Sequence, residues 1–209
     1  LFRFLLSLLA FTSGTATVIS LAAVYAQEVM GFTTSDSIIM IFVVNITAAI
    51  GAFSMGFVQD KIGSVRTLVI ALCMWMVATV GAYFCTEKTW FWALANLIGL
   101  AIGASGSAGR GLVGLFSPPG RSGEFFGLWG LSGKMATAIG PLSFGLVTLM
   151  TGNNYRLALL SSTLFFLAGL LILLTVNETR GREAAHAQRD PDVAPDALGG
   201  APDVMTGSN

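Results

Sequence analysis

Apolar residues fill this chain in six long runs, near residues 4–26, 38–58, 67–84, 90–109, 125–150 and 157–176, each separated from the next by a short polar stretch. A bilayer core is spanned by about 20 apolar residues in a helix, so the pattern predicts six transmembrane helices. The connections are short, which predicts that consecutive helices are neighbours. The fifth run is the longest and contains Gly140-Pro141, which predicts a tilt, a kink or an extension past the bilayer.

Composition agrees with this reading. Of 209 residues, 54% are hydrophobic and 11% charged, with a mean hydropathy of +0.76. A soluble domain carries about 25% charged residues, so the chain reads as an integral membrane protein. Its net charge of zero argues against nucleic acid as a partner. Cys73 and Cys85 lie in or beside one apolar run and read as small buried hydrophobes, since a disulfide framework needs more cysteines outside the membrane. Leu1 already stands inside an apolar run, which reads as a chain missing its N-terminal part. From residue 183 the sequence turns to Ala, Pro, Asp and Gly, with Pro-Asp at Pro191, Pro195 and Pro202. Such a segment has too little apolar surface to fold alone. The chain therefore divides into a six-helix bundle, 1–180, and a disordered cytoplasmic tail, 181–209.

Basic residues set the orientation. With the N-terminus inside, Arg3, Lys61, Arg66, Arg110, Arg121, Arg180, Arg182 and Arg189 are cytoplasmic. Lys88 and Arg156 fall outside, and Lys134 lies within a span. Every inner loop obeys the positive-inside rule, which puts both termini in the cytoplasm. Trp90 and Trp92 then stand at the outer end of the fourth helix, where an aromatic belt belongs.

The residue with the most chemistry is Lys134. At 1.5 Å per residue it lies roughly 15 Å along the helix from Glu124, near the middle of a bilayer. A charge there costs roughly 2.5–3.5 kcal/mol, so it is expected to face a water-filled path or a partner. No acid of this chain is available at that depth. Its counterpart would be a solute carboxylate, a carbonyl, or an acid from another part of the protein. Asn45 on the second helix and Ser13, with Thr12, Thr15 and Thr17, on the first are further candidates for solute contact. Asn96 lies on the fourth helix, and a membrane-buried amide of this kind often simply bonds a neighbouring helix.

Gly56-Phe57-Val58-Gln59-Asp60-Lys61-Ile62-Gly63-Ser64-Val65-Arg66 joins the second and third runs. It follows the pattern G-x-x-x-D-[RK]-x-G and then a basic residue, which resembles the loop between the second and third helices of each half of major facilitator superfamily transporters. Gly56 is expected to admit a close helix, Asp60 to cap a helix or pair with a cation, and Gly63 to make the tight turn. The resemblance implies that Asp60, Lys61 and Arg66 gate the protein and do not touch solute.

A narrower resemblance runs through Arg110, Pro118, Arg121, Glu124-Phe125-Phe126-Gly127-Leu128, Gly133-Lys134, Gly140-Pro141, Thr151-Gly152, Arg156 and Glu178-Thr179-Arg180-Gly181. These residues resemble the vacuole-effluxer-like family of that superfamily, named for fungal vacuolar amino-acid exporters and with many bacterial members. Where that family often has an acid before a glycine in the first helix, this chain has Ser13-Gly14. The resemblance implies an all-α C-terminal half, equivalent to the seventh to twelfth helices of a transporter, which works with an N-terminal six-helix half. It implies a solute path at the interface of the halves, faced by the first, second, fourth and fifth helices, with the third and sixth peripheral. It implies amino acids as the solute, and the cell membrane of a bacterium or the vacuolar membrane of a fungus as the location.

Gly99, Gly103, Ser107 and Gly111 recur every four residues on the fourth helix, a ridge on which another helix can pack closely. Arg110 and Glu124 end helices expected to be adjacent and are read as an inner-gate ion pair. Gly103-Ala104-Ser105-Gly106 resembles the nucleophile motif of rhomboid intramembrane proteases. That chemistry needs a histidine beside the serine, and His186 lies in the tail, so the enzyme reading fails. No cofactor or metal-ligand pattern appears. A non-transporting membrane subunit or scaffold is the remaining alternative; it predicts few polar groups at membrane depth and no gating-loop motif.

Overall fold

The structure, a computed structural model, describes residues 2–117 and 122–176. The turn at 118–121, the Glu178–Gly181 match and the tail lie outside these residues. Among the described residues there are six helices: α1 (Phe2–Glu28), α2 (Thr34–Ile62), α3 (Ser64–Phe84), α4 (Lys88–Phe116), α5 (Ser122–Met150) and α6 (Tyr155–Leu174). Five are long and apolar enough to cross a membrane. The sixth, α5, has the length, but Lys134, Pro141 and six glycines dilute its apolar content.

Helix ends follow local chemistry. Thr33 and Asp36 form a reciprocal capping box at the start of α2, with Asp36 N donating to Thr33 Oγ1 at 3.1 Å and Thr33 N to Asp36 Oδ2 at 3.0 Å. Asn154 Oδ1 accepts the Leu157 amide at the start of α6. These caps carry the helices beyond the apolar runs. The longest apolar run does not make a longer helix, since α2, α4 and α5 each have 29 residues. Helix α5 also continues unbroken through Gly140-Pro141.

The link between α2 and α3 is Gly63 alone, at φ 90° and ψ 160°. Only glycine occupies that region without strain, and a side chain there costs about 1–3 kcal/mol. Gly63→Ala is therefore expected to lower the melting temperature of the detergent-solubilised protein. An unchanged melting temperature would show that the turn relaxes freely.

Consecutive helices are mostly not the close neighbours that short loops predicted. The extensive contacts join α2 to α4, α1 to α5 and α6, and α3 to α4 and α6. Small residues explain the choice. A Cβ on Gly103 would strike the Ala48 carbonyl and the Ala52 amide, and one on Gly99 would strike Thr47, so the ridge of α4 lies directly on the α2 backbone. Gly140 of α5 similarly lies on the Ser13 carbonyl and Thr17 of α1, and Gly169 of α6 on Phe11 and the Ser7 carbonyl. Exchanging α1 with α4, α2 with α5 and α3 with α6 leaves this set of contacts unchanged.

Behind α1 and α4, helices α3 and α6 close the bundle. Trp75 is fully buried and stacks on Phe166 with ring centroids 5.0 Å apart, while Thr79 and Thr163 hydroxyls meet at 2.9 Å. Helices α1 and α4 run antiparallel: Phe4 meets Phe116 at one end and Tyr25 stacks on Phe91 at the other. At this second end Tyr25 Oη donates to the Ala82 carbonyl at 2.8 Å and Arg156 Nη1 to the Tyr83 carbonyl at 3.1 Å. These bonds tie α1 and α6 to carbonyls in the last turn of α3, where Ala82 O also accepts the Cys85 amide at 3.3 Å. Lys88 Nζ donates to Gly31 O at 2.8 Å beside the Phe32 ring, tying α4 to the α1–α2 loop.

Candidate functional site

Two clefts open on the face formed by α1 and α4 and flanked by α2 and α5. The larger, about 470 Å³, lies between α1, α4 and α5. Its polar lining is Thr12 and Thr15 from α1, Ser105 from α4, and Lys134 and Thr137 from α5, with Trp129 supplying an aromatic wall. The smaller, about 220 Å³, lies between α1, α2 and α4 and is apolar except for Asn45. Neither takes a residue from α3 or α6.

Lys134 is exposed on the wall of the larger cleft. Among the described residues its ammonium has no hydrogen-bond or ion-pair partner; the Thr137 hydroxyl uses only its backbone carbonyl, at 2.7 Å. The positive charge is therefore uncompensated and faces a space bordered by hydroxyls. That arrangement can receive an anionic oxygen, because the three ammonium protons have no acceptor among the described residues, whereas the Thr15, Ser105 and Thr137 hydroxyls give their protons to carbonyls of their own helices and stay open as acceptors.

Asn45 stands on the other cleft, so the structure does not bring it together with Lys134. Its Nδ2 donates to the Ile41 carbonyl at 2.8 Å, and the residue is exposed on the cleft lining. Ser13 is buried, with its hydroxyl given to the Leu9 carbonyl at 2.8 Å, and it lies where α5 presses on α1 at Gly140. Thr12 and Thr15 hold the cleft-facing positions instead. Helical phase could have signalled this, because Leu8, Thr12 and Thr15 share a face that Ser13 does not. The same phase links Gly130 and Thr137 to Lys134, and Thr137 was not singled out in the sequence.

Ser105 also lines the larger cleft. Its hydroxyl donates to Ala101 O at 2.7 Å and accepts from Trp75 Nε1 at 3.4 Å, which ties the cleft wall to the buried Trp75–Phe166 stack. Asn96 bonds the Trp92 carbonyl of its own helix at 2.8 Å and not a neighbouring helix. Among the described residues, no three His, Cys, Asp or Glu side chains gather to hold a metal.

The residues read as gating divide. Gly63 makes the turn. Gln59 Nε2 donates to Ser64 Oγ at 3.0 Å and packs against Gly111, so the loop is seated on the end of the α4 ridge. Asp60, Lys61 and Arg66 are exposed at that end. Gly56 has no described atom near the position of a Cβ, so no close helix accounts for it. The expected Arg110–Glu124 ion pair is absent among the described residues. The larger cleft stands between α4 and α5 there, and the Arg110 guanidinium lies back over Gly106, one turn along its own helix.

Residues 1–186 match the family described as "Vacuole effluxer Atg22 like". The chain belongs to this family. Relatives of this vacuole-effluxer-like chain include YxiO of Bacillus subtilis, named an uncharacterized MFS-type transporter, 28% identical over 91% of this chain and 44% of YxiO. Autophagy-related protein 22 of Cryptococcus neoformans is 25% identical over 88% of this chain and 35% of its own length. The protein of that name from Saccharomyces cerevisiae is 25% identical over 88% and 37%. The vacuole-effluxer-like chain thus spans less than half the length of these relatives. With its long apolar helices, it is a multi-pass membrane protein.

Proposed function

We propose that the chain is the C-terminal six-helix half of a secondary transporter of the major facilitator superfamily, and that the Lys134 cleft is its side of the solute path. The observation that carries this reading is an ammonium midway along α5 that faces a hydroxyl-lined cleft with no anion among its described neighbours, a position expected at membrane depth. Keeping such a charge for structure alone is costly. The exchange of three helices for three in the packing pattern supports the reading, because superfamily halves are built from inverted three-helix repeats. Only 11% of the apolar window of α2 is buried, and Phe42 and Phe53 on α2 and Leu142 and Leu149 on α5 are strongly exposed. A second six-helix half and lipid together would cover these faces.

In this reading a small polar solute, with amino acids as the first candidates, crosses by alternating access. Its carboxylate rests on Lys134, hydroxyls of Thr12, Thr15 and Ser105 contact its polar groups, and Asn45 offers an amide farther along. Ser13 holds α1 against α5 behind the cleft. Asp60, Lys61, Arg66 and Arg110 lie at the cytoplasmic end and meet charges of the other half as the transporter rocks; Glu124 belongs to the same rim. Both termini of the chain are cytoplasmic, and the membrane is the cell membrane in a bacterium or the vacuolar membrane in a fungus.

Thermal stabilisation of the detergent-solubilised full-length protein tests this site. Amino acids are expected to raise the melting temperature, and their carboxamide counterparts to do so less. A tenfold excess over the dissociation constant contributes about 1.4 kcal/mol, enough to be read as a shift. Equal stabilisation by acids and amides would remove Lys134 as the carboxylate site.

A further inference from the structure

The two clefts are one arrangement built twice. Trp129, Gly130, Gly133, Lys134 and Thr137 of α5 correspond one for one, at a constant displacement along the chain, to Met40, Ile41, Val44, Asn45 and Ala48 of α2. Ser105, Gly106 and Gly109 of α4 correspond in the same way to Val18, Ile19 and Ala22 of α1. That second displacement also carries Leu8, Phe11 and Thr15 of α1 onto Ala95, Ile98 and Ile102 of α4. Packing shows the same relation, since exchanging the first three helices for the last three preserves the contacts.

Equivalent positions have diverged in chemistry. Lys134 stands opposite Asn45, Thr137 opposite Ala48, and Ser105 opposite Val18. One cleft is cationic and rich in hydroxyls; the other is neutral and apolar with one amide. They also lie toward different ends of the two central helices. The Lys134 cleft uses the N-terminal half of α1 and the C-terminal half of α4, beside Arg110 and the Gly63 turn. The Asn45 cleft uses the opposite halves, toward Lys88 and Arg156. Among the described residues, Ile102 alone lines both.

We propose that Ile102 is the partition of a single solute path whose two vestibules are these repeat-related clefts. This rests on reading the chain as one side of a transport path. A β-branched side chain is stiff about χ1, and an apolar constriction excludes water and ions by dewetting. A polar solute held at Lys134 must pass Ile102 to reach the neutral vestibule. Its counterpart in the other repeat, Thr15, is smaller and polar, so the duplicated framework has a barrier on one of its two central helices and an opening on the other.

The test uses full-length protein in sealed vesicles, with Cys73→Ser and Cys85→Ser, and an impermeant thiol reagent applied to one side at a time. Gly133→Cys reports on the Lys134 cleft, where a Cβ meets open space, and Ala22→Cys on the Asn45 cleft. The expected result is faster labelling of Gly133→Cys from the Arg110 side and of Ala22→Cys from the Lys88 side, with slower labelling from the opposite side as the transporter rocks. Ile102→Ala is expected to abolish this sidedness, and Ile102→Leu, which keeps the bulk, to preserve it. Loss of sidedness with Ile102 intact, or its survival in Ile102→Ala, would overturn the proposal. Solute flux in the same vesicles is a separate readout, so failure of the transport reading is distinguishable from failure of the partition.

Discussion

Lys134→Met should abolish movement of carboxylate-bearing solutes through the full-length protein while leaving its expression and melting temperature near those of the parent. Methionine keeps the length and flexibility of the side chain and removes the charge. The ammonium has no partner among the described residues, so its loss leaves no described anion stranded. A charge-assisted hydrogen bond is worth about 1.5–3 kcal/mol, which converts to roughly a tenfold to hundredfold loss of affinity from this residue alone. Lys134→Arg keeps the charge but changes its shape, and is expected to retain part of the activity. Unchanged uptake and efflux by Lys134→Met, at normal protein levels, would sink the assignment.

Gly103→Val is expected to have the largest structural effect. The ridge of α4 is buried against α2, and a side chain at Gly103 would meet backbone atoms of Ala48 and Ala52, which cannot rotate away. Overpacking of a tight core typically costs 1–3 kcal/mol, and contact with backbone places this change at about the upper end. Fluorescence-detected size-exclusion chromatography should show loss of the monodisperse peak. Gly114→Ala provides the control, because Gly114 is exposed on the same helix with open space around it. That variant should behave as the parent does. A monodisperse Gly103→Val protein would mean that α2 and α4 separate more easily than their packing indicates.

The sequence made the helices and several of their special positions legible. Six apolar runs correspond to α1–α6 because length and hydropathy are local properties of the chain. Gly63 was identifiable as a turn because a one-residue link forces a backbone conformation open to glycine. The every-fourth glycines of α4 announced a close neighbour. Which helix that neighbour would be was not written in the spacing. Short loops favoured α3 or α5, yet α2 supplies the small residues Gly51, Ala48 and Ala52 that fit the ridge.

The cleft was partly legible for the same reason. A lysine among apolar residues stands out in any reading, so Lys134 was found. Ser13 and Thr12 are adjacent and chemically alike, and only the rotation of α1 distinguishes the residue that faces the cleft from the one that packs on Gly140. An Arg110–Glu124 pair looked natural from charge and position, but the cleft itself keeps α4 and α5 apart. Relations between helices, set by which small residues meet, are what the order of residues left open.

The most direct measurement of the account is solute flux in proteoliposomes containing the full-length protein, with a panel of labelled amino acids and with or without an imposed pH gradient. Saturable flux that depends on carboxylate-bearing solute, and is lost in Lys134→Met, is the predicted result. Absence of saturable flux across the panel, from protein that is folded and correctly inserted, would contradict the account and favour a non-transporting membrane subunit.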